Sequence, residues 1–119
     1  LLEYRISDGS YQPQPSDSER QRKRAQLREL YGDPDPNNWF WKQVIPTNYL
    51  DGVTTKLELH HAVDDNVVSV EYSRNLNEKL DETSISHELY EYPSGGHNIS
   101  GSAFSQAMQR TVEFCKENL

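Results

Sequence analysis

Hydrophobic residues are scarce in this sequence. They make up 34% of the 119 residues, and the mean hydropathy is −0.92. A globular domain usually contains roughly 45–50% apolar residues when glycine is counted, and a parallel sheet covered on both faces needs strands rich in Val, Ile and Leu. The shortage argues against a self-contained α/β domain. We expect a chain that supplies the outer part of a larger core.

Other scarcities exclude further classes of protein. The single cysteine, Cys115, excludes an internal disulfide, and its position in a late helical pattern favours a packing role. No apolar run approaches the roughly 20 residues of a membrane span, and no signal peptide is visible. The net charge of −7 argues against a nucleic-acid-binding surface. The sequence begins at Leu1 and its only methionine is Met108, so we expect it to be part of a longer product.

Residues 1–38 are predicted to form a lead-in loop followed by a basic helix. Ser16 and Glu19 match a capping box. The helix is expected to reach Tyr31, with Gly32 in the left-handed position that ends it. Five of the twelve basic residues lie in this helix: Arg20, Arg22, Lys23, Arg24 and Arg28. A solvated helix face with neighbouring charge pairs is the favoured interpretation, ahead of a surface for an anionic partner.

Residues 39–119 alternate between strand and helix patterns. The predicted elements are a strand over Val53–His61, a helix from Ser69 to about Leu80, a strand over Ile85–Tyr92 and a helix from Ser102 to the end. This alternation is typical of parallel βαβ winding. Two strands alone cannot bury both faces of a sheet, so we predict an α/β fold from which the remainder of the sheet is missing. The aromatic run Trp39–Trp41 is expected to pack in a core rather than to stack on a substrate.

Polar residues gather where each predicted strand ends. His60 and His61 end the first strand, Asp64 and Asp65 follow it, and His97 follows the second. In an open parallel sheet, ligands and catalytic groups collect at the carboxyl ends of the strands. A carboxylate that orients a histidine is half of a Ser–His–Asp triad. The chain order in the α/β-hydrolase fold is nucleophile, acid, histidine, and Asp65 followed by His97 matches its second half.

Four short motifs strengthen this interpretation. They are Pro46-Thr-Asn-Tyr-Leu50, then His61-Ala-Val-Asp-Asp65-Asn-Val-Val68, then a helix with Ser73, Leu76 and Leu80, and finally Tyr92-Pro-Ser-Gly-Gly-His97. With these motifs in this order, residues from about Trp39 to Leu119 resemble the C-terminal end of an α/β-hydrolase of the prolyl oligopeptidase family and its dienelactone-hydrolase-like relatives. Two positions depart from the family pattern, because Ala62 replaces the usual glycine and Ser69 the usual proline.

The resemblance implies a serine hydrolase that cleaves a peptide, ester or amide through an acyl-serine. It assigns Asp65 as the triad acid and His97 as the general base. Asp64 is the competing acid, and the spacing from Ala62 favours Asp65. No serine in the sequence has glycine both two places before and two places after it, so the G-x-S-x-G nucleophile motif is absent. The chain alone is therefore expected to be inactive, with the N-terminal part of the fold as its missing partner.

Two other interpretations stay open. The polar residues His60, His61, Asp64 and Asp65 are possible ligands for a divalent ion. However, neighbours on a strand point to opposite faces, so we expect no metal and no cofactor, with one of the two histidines buried and the other near the surface. The second alternative is a catalytically inert fragment or interaction module. Such a module would assemble through exposed sheet edges, for instance as a homodimer that exchanges an element.

Overall fold

The computed structural model describes residues 18–118 and divides the chain into two compact units. The division falls between Asn48 and Tyr49, within a 3₁₀ segment, Pro46–Gly52. The predicted lead-in loop and Ser16 lie outside the described residues. The predicted domain boundary after residue 38 lies within the first unit. Among residues 18–118, no helix combines the length and the apolar character that crossing a bilayer requires.

The first described helix of this unit is α1, Glu19–Tyr31, which buries none of its residues. Its N-cap is Ser18, whose hydroxyl accepts a hydrogen bond from the amide of Gln21 at 3.3 Å. The predicted start at Ser16 is therefore two residues too early. Gly32 ends the helix with a φ of 79°, and its amide donates to the carbonyl of Arg28 at 2.8 Å. Gly32 has a positive φ, but its ψ of 175° lies outside the left-handed helical region predicted for it. Of the basic residues, Arg24 and Arg28 are half-buried and the other three are exposed.

An aromatic cluster organises the remainder of this unit around helix α2, Trp39–Gln43. Trp41 is buried. Phe40 stacks on Tyr31, with ring centroids 3.7 Å apart and an interplanar angle of 4°. Trp39 packs edge-on against Tyr31 but remains 66% exposed. Core packing is thus confirmed for Trp41 and wrong for Trp39, because a helix of five residues presents one side to its neighbours and the other to solvent.

The second unit contains two strands and two helices in the predicted alternating order. They are β1 (Leu57–Ala62), α3 (Glu71–Asp81), β2 (His87–Tyr92) and α4 (Ser102–Asn118). The strands pair in parallel, with Leu57 opposite His87 and Ala62 opposite Tyr92. The α/β class is confirmed. Both strands begin later than predicted, since the two segments pair only over these six positions.

One helix covers each face of the two-stranded sheet. His61 and Glu91 point towards α3, where they hydrogen-bond with Ser73 and Arg74. Tyr92 points the other way and packs with two small residues of α4, Ala103 and Ala107. Leu80 on α3 is fully buried. The parallel pairing and the two covering helices place the loops after β1 and β2 side by side at one edge of the sheet.

Candidate active site

The loops that follow β1 and β2 leave the sheet together. The loop between β1 and α3, residues 63–70, carries Asp65 and is called the acid loop. The amide of its first residue, Val63, donates to the carbonyl of Tyr92 at 2.7 Å and so extends the pairing of the strands. Beyond this point His97 Nδ1 lies 2.9 Å from Asp65 Oδ2. The structure therefore brings together the two residues that the sequence nominates as acid and histidine. Their contact follows from parallel pairing, because both loops start at the same level of the sheet.

The Asp65 carboxylate is firmly held by its own loop. Oδ1 accepts hydrogen bonds from the amides of Val67 and Val68 at 2.8 and 2.9 Å, and the side chain is 5% exposed. Burial alone would raise the pKa of this carboxyl. The hydrogen bonds from Val68, His97 and Val67, together with the attraction of the His97 charge, outweigh that effect and lower the pKa to about 2. Asp65 is consequently ionised at neutral pH.

The His97 ring is half exposed and has one nitrogen committed to Asp65. Because an ionised carboxylate can only accept, Nδ1 carries the proton, and Nε2 of the neutral ring is left as an acceptor. That tautomer is the one a general base needs to take a proton from a hydroxyl. Within residues 18–118 no side chain hydrogen-bonds to Nε2. Thus no serine of that part of the chain stands where a nucleophile would.

His61 lies beside the acid, a placement that sequence reasoning missed. Its Nε2 donates to the Val68 carbonyl at 2.9 Å, and its Nδ1 accepts from the Ser73 hydroxyl at 2.6 Å. The same Nε2 is 3.5 Å from Asp65 Oδ2. His61 therefore ties β1, the acid loop and α3 together. The spacing of His61 and Asp65 could have suggested proximity, but the Val68 contact depends on how the loop turns.

His60 faces the opposite side of the sheet. Its ring bonds to the Tyr92 hydroxyl at 2.8 Å and to the Glu58 carboxylate at 2.6 Å. The two neighbouring histidines thus point away from each other, and residues 18–118 contain no group of three potential metal ligands. The expectation of one buried histidine and one near the surface is wrong, because both are half-buried. The side chains of His60 and His61 are 15% and 11% exposed, since a helix covers each face of the sheet.

The loop that carries His97 has an unusual backbone. Gly95 and Gly96 have φ values of 152° and 61°, and Ile99 has a φ of 46°. A Cβ atom at Gly95 would lie 3.2 Å from the Ala103 Cβ and 3.3 Å from the Ile99 Cα. Positive φ is a strained conformation for a β-branched residue. In the loop that presents His97, a side chain would be crowded at Gly95, whereas at Gly96 the positive φ alone favours glycine.

The loop between β2 and α4, residues 93–101, carries His97 and is called the histidine loop. Asp64, the competing acid, binds the residue before His97 in this loop. Its Oδ1 accepts a hydrogen bond from the Gly96 amide at 2.8 Å. Of the two acids proposed from the sequence, the one hydrogen-bonded to His97 is Asp65. The two carboxylates thus have different partners, although they are adjacent in the chain.

The pair opens onto a shallow hollow of about 160 Å³. Its wall includes the side chains of His61, Asp65, Val68, His97 and Ile99. Small-molecule sites usually measure about 300–1,000 Å³. The hollow alone is therefore too small to enclose a substrate.

Comparison of the chain with protein-family models, with curated proteins and with solved structures found no match.

Proposed function

We propose that this chain contributes the acid and the histidine of a Ser–His–Asp hydrolase, with residues 39–119 as the C-terminal portion of an α/β-hydrolase catalytic domain. The substrate class is a peptide, an ester or a small amide. One observation supports the proposal above the others: Asp65 Oδ2 and His97 Nδ1 lie 2.9 Å apart at the carboxyl edge of two adjacent parallel strands. Acid before histidine is also the chain order of that fold.

In the proposed reaction His97 Nε2 takes the proton of a serine hydroxyl while the serine oxygen attacks the carbonyl carbon. The imidazolium then returns the proton to the leaving group, and a water molecule repeats the sequence to release the acid product. Asp65 keeps Nδ1 protonated and stabilises the imidazolium, for which it must be ionised. Its pKa of about 2 meets that requirement throughout the neutral range. The serine and the oxyanion donors are supplied by polypeptide outside these 119 residues.

Labelling with a serine-reactive fluorophosphonate tests whether the nucleophilic serine lies outside these 119 residues. The 119-residue chain is expected to show no labelling, because no activated serine is present. A longer protein that contains this sequence is expected to be labelled at one serine within a G-x-S-x-G motif upstream of Leu1. Stoichiometric labelling of any serine among the 119 residues would contradict the proposal.

Replacement of His97 by alanine in that longer protein should lower kcat by several orders of magnitude, since triad members act as a unit. His87→Ala is the matched control. His87 lies at the opposite end of β2, where its ring contacts Asp81 and the Ile85 carbonyl. A His97→Ala protein that keeps most of its rate would show that the triad is wrongly assigned.

A non-catalytic interaction module is the second candidate. In the described residues each strand has one ladder partner, so one edge of each is open. Along α4, Phe104, Met108 and Val112 recur at four-residue intervals and are exposed. Both features favour association with further polypeptide. Light scattering of the isolated chain across concentrations tests this candidate: a stable dimer, combined with absence of hydrolysis by any longer form, would favour the module over the enzyme.

A further inference from the structure

Two consecutive acids bind two consecutive residues of the histidine loop. Asp64 Oδ1 accepts from the Gly96 amide at 2.8 Å, and Asp65 Oδ2 accepts from His97 Nδ1 at 2.9 Å. The first contact holds the backbone of the loop and the second holds the ring. The proposed reaction uses only the contact between Asp65 and His97, and it assigns no role to Asp64.

The backbone contact matters because, apart from the Asp65–His97 pair and the packing of Ile99 on the core cluster, the loop is held by its own short-range bonds. Gly95 accepts from the amide and from the hydroxyl of Ser100, and Gly96 accepts from the amide of Ile99. These bonds close the turn upon itself and do not connect it with the acid loop. Gly96 itself has no atom within 4 Å of the place where a Cβ would stand, so packing does not fix the backbone at this residue. The Asp64 contact joins this turn to the loop after β1.

The ring of His97 has little else to fix it. Half of the side chain is exposed to solvent, and its hydrogen bond within the described residues is the one to Asp65. Asp65 cannot follow a displaced ring, because its other oxygen is held by the amides of Val67 and Val68. A shift of the backbone at Gly96 would therefore lengthen the contact between the acid and the histidine.

We propose that Asp64 is a positioning residue that sets the distance between His97 and Asp65 by fixing the Gly96 backbone. It touches neither the imidazole nor the reacting atoms, so it is not a catalytic residue. Its importance for hydrolysis rests on the proposed function, whereas its effect on His97 can be measured in this chain without any activity. A charged acceptor on a backbone amide is among the stronger hydrogen bonds in a protein.

The test compares the unchanged chain with Asp64→Ala and Asp64→Asn by nitrogen-15 NMR of the imidazole. In the unchanged chain the proton should lie on His97 Nδ1 and exchange slowly with water. In Asp64→Ala, exchange of that proton should be about tenfold faster, as expected for the loss of one charge-assisted hydrogen bond. In Asp64→Asn the slow exchange should largely return, because the amide oxygen can still accept from Gly96. Asp51→Ala, at an exposed aspartate before β1, is the control and should change nothing.

The outcomes separate this proposal from the proposed function. Equal Nδ1 exchange in Asp64→Ala and the unchanged chain would overturn the positioning role, even if His97 proved essential for hydrolysis. The predicted exchange pattern, combined with absence of hydrolysis by the longer protein, would uphold the positioning role and remove the proposed function. If Asp64→Ala fails to fold, the trans-hydrogen-bond coupling between the Gly96 amide nitrogen and the Asp64 carboxyl carbon decides. Its absence in the unchanged chain would overturn the proposal, and its presence together with slow exchange in Asp64→Asn would support it.

Discussion

The pKa of Asp65 reports directly on its hydrogen bonds within the site, and removal of the His97 ring should raise it. Three donors act on this carboxylate in the folded chain: the amides of Val67 and Val68 and the ring of His97. Together they lower the pKa from 3.8 to about 2 against the opposing effect of burial. His97→Ala removes one donor and its charge but leaves both amides. The pKa should therefore rise above 2 and remain below 3.8.

The same shift predicts how stability depends on pH. A carboxyl whose pKa is lower in the folded than in the unfolded chain stabilises the fold above its unfolded pKa, and this stabilisation is lost as the pH falls through the folded pKa. For Asp65 the window runs from about 3.8 down to about 2. The unfolding free energy of the unchanged chain should fall across this window more steeply than that of Asp65→Asn, which has no proton to bind.

The pKa of Asp65 is measured by carbon-13 NMR of its carboxyl carbon as a function of pH. The unfolding free energy is measured by urea titration at the two ends of the pH window. His87→Ala is the matched histidine deletion, because His87 pairs with Asp81 far from the site. It should leave the pKa of Asp65 at about 2. An Asp65 pKa of 3.8 or higher in the unchanged chain, or an unaltered pKa in His97→Ala, would refute the reasoning.

Two further predictions concern the scaffold that holds the pair. Leu80→Ala removes a fully buried side chain and should lower the unfolding free energy, measured by urea titration, by about 2–5 kcal/mol. Val112→Ala, on the exposed side of α4, is the control and should change it by no more than about 0.5 kcal/mol. Equal losses of stability in the two variants would contradict the assigned core. Gly95→Ala places a Cβ 3.2 Å from Ala103 at a φ of 152° and should cost about 1–3 kcal/mol and shift the His97 resonances. Gly52→Ala is the control, because no atom lies within 4 Å of the Cβ that it would add. If the two variants shift the His97 resonances equally, the turn at Gly95 is not crowded.

The strand–helix–strand–helix order of the second unit was predictable because its signals are local. Alternating apolar residues in Leu57–Ala62 and a four-residue apolar spacing through Leu76 and Leu80 indicate a strand and a helix wherever they occur. Boundaries were less accurate. Strand β1 begins at Leu57 and not at Val53, since a strand extends only as far as its partner supplies hydrogen bonds, and the partner's position is not a local property.

The pairing of Asp65 with His97 was also within reach of the sequence, for a topological reason. When an acid follows one strand and a histidine follows the next parallel strand, the two side chains emerge at the same edge whatever the details of packing. The sequence also determined that the chain has no G-x-S-x-G serine, because that motif is a matter of composition and spacing alone.

Tertiary structure decided how the four polar residues at the end of β1 and in the loop after it divide their roles. Asp64 and Asp65 are adjacent and chemically identical, and only the path of the turn directs one carboxylate to the Gly96 amide and the other to His97. His60 and His61 are likewise neighbours, yet one meets α4 and Tyr92 while the other meets α3 and the acid loop. Sequence spacing specifies which face of a strand a side chain takes, whereas its partners are supplied by elements distant in the chain, and these become neighbours only when the helices pack against the sheet.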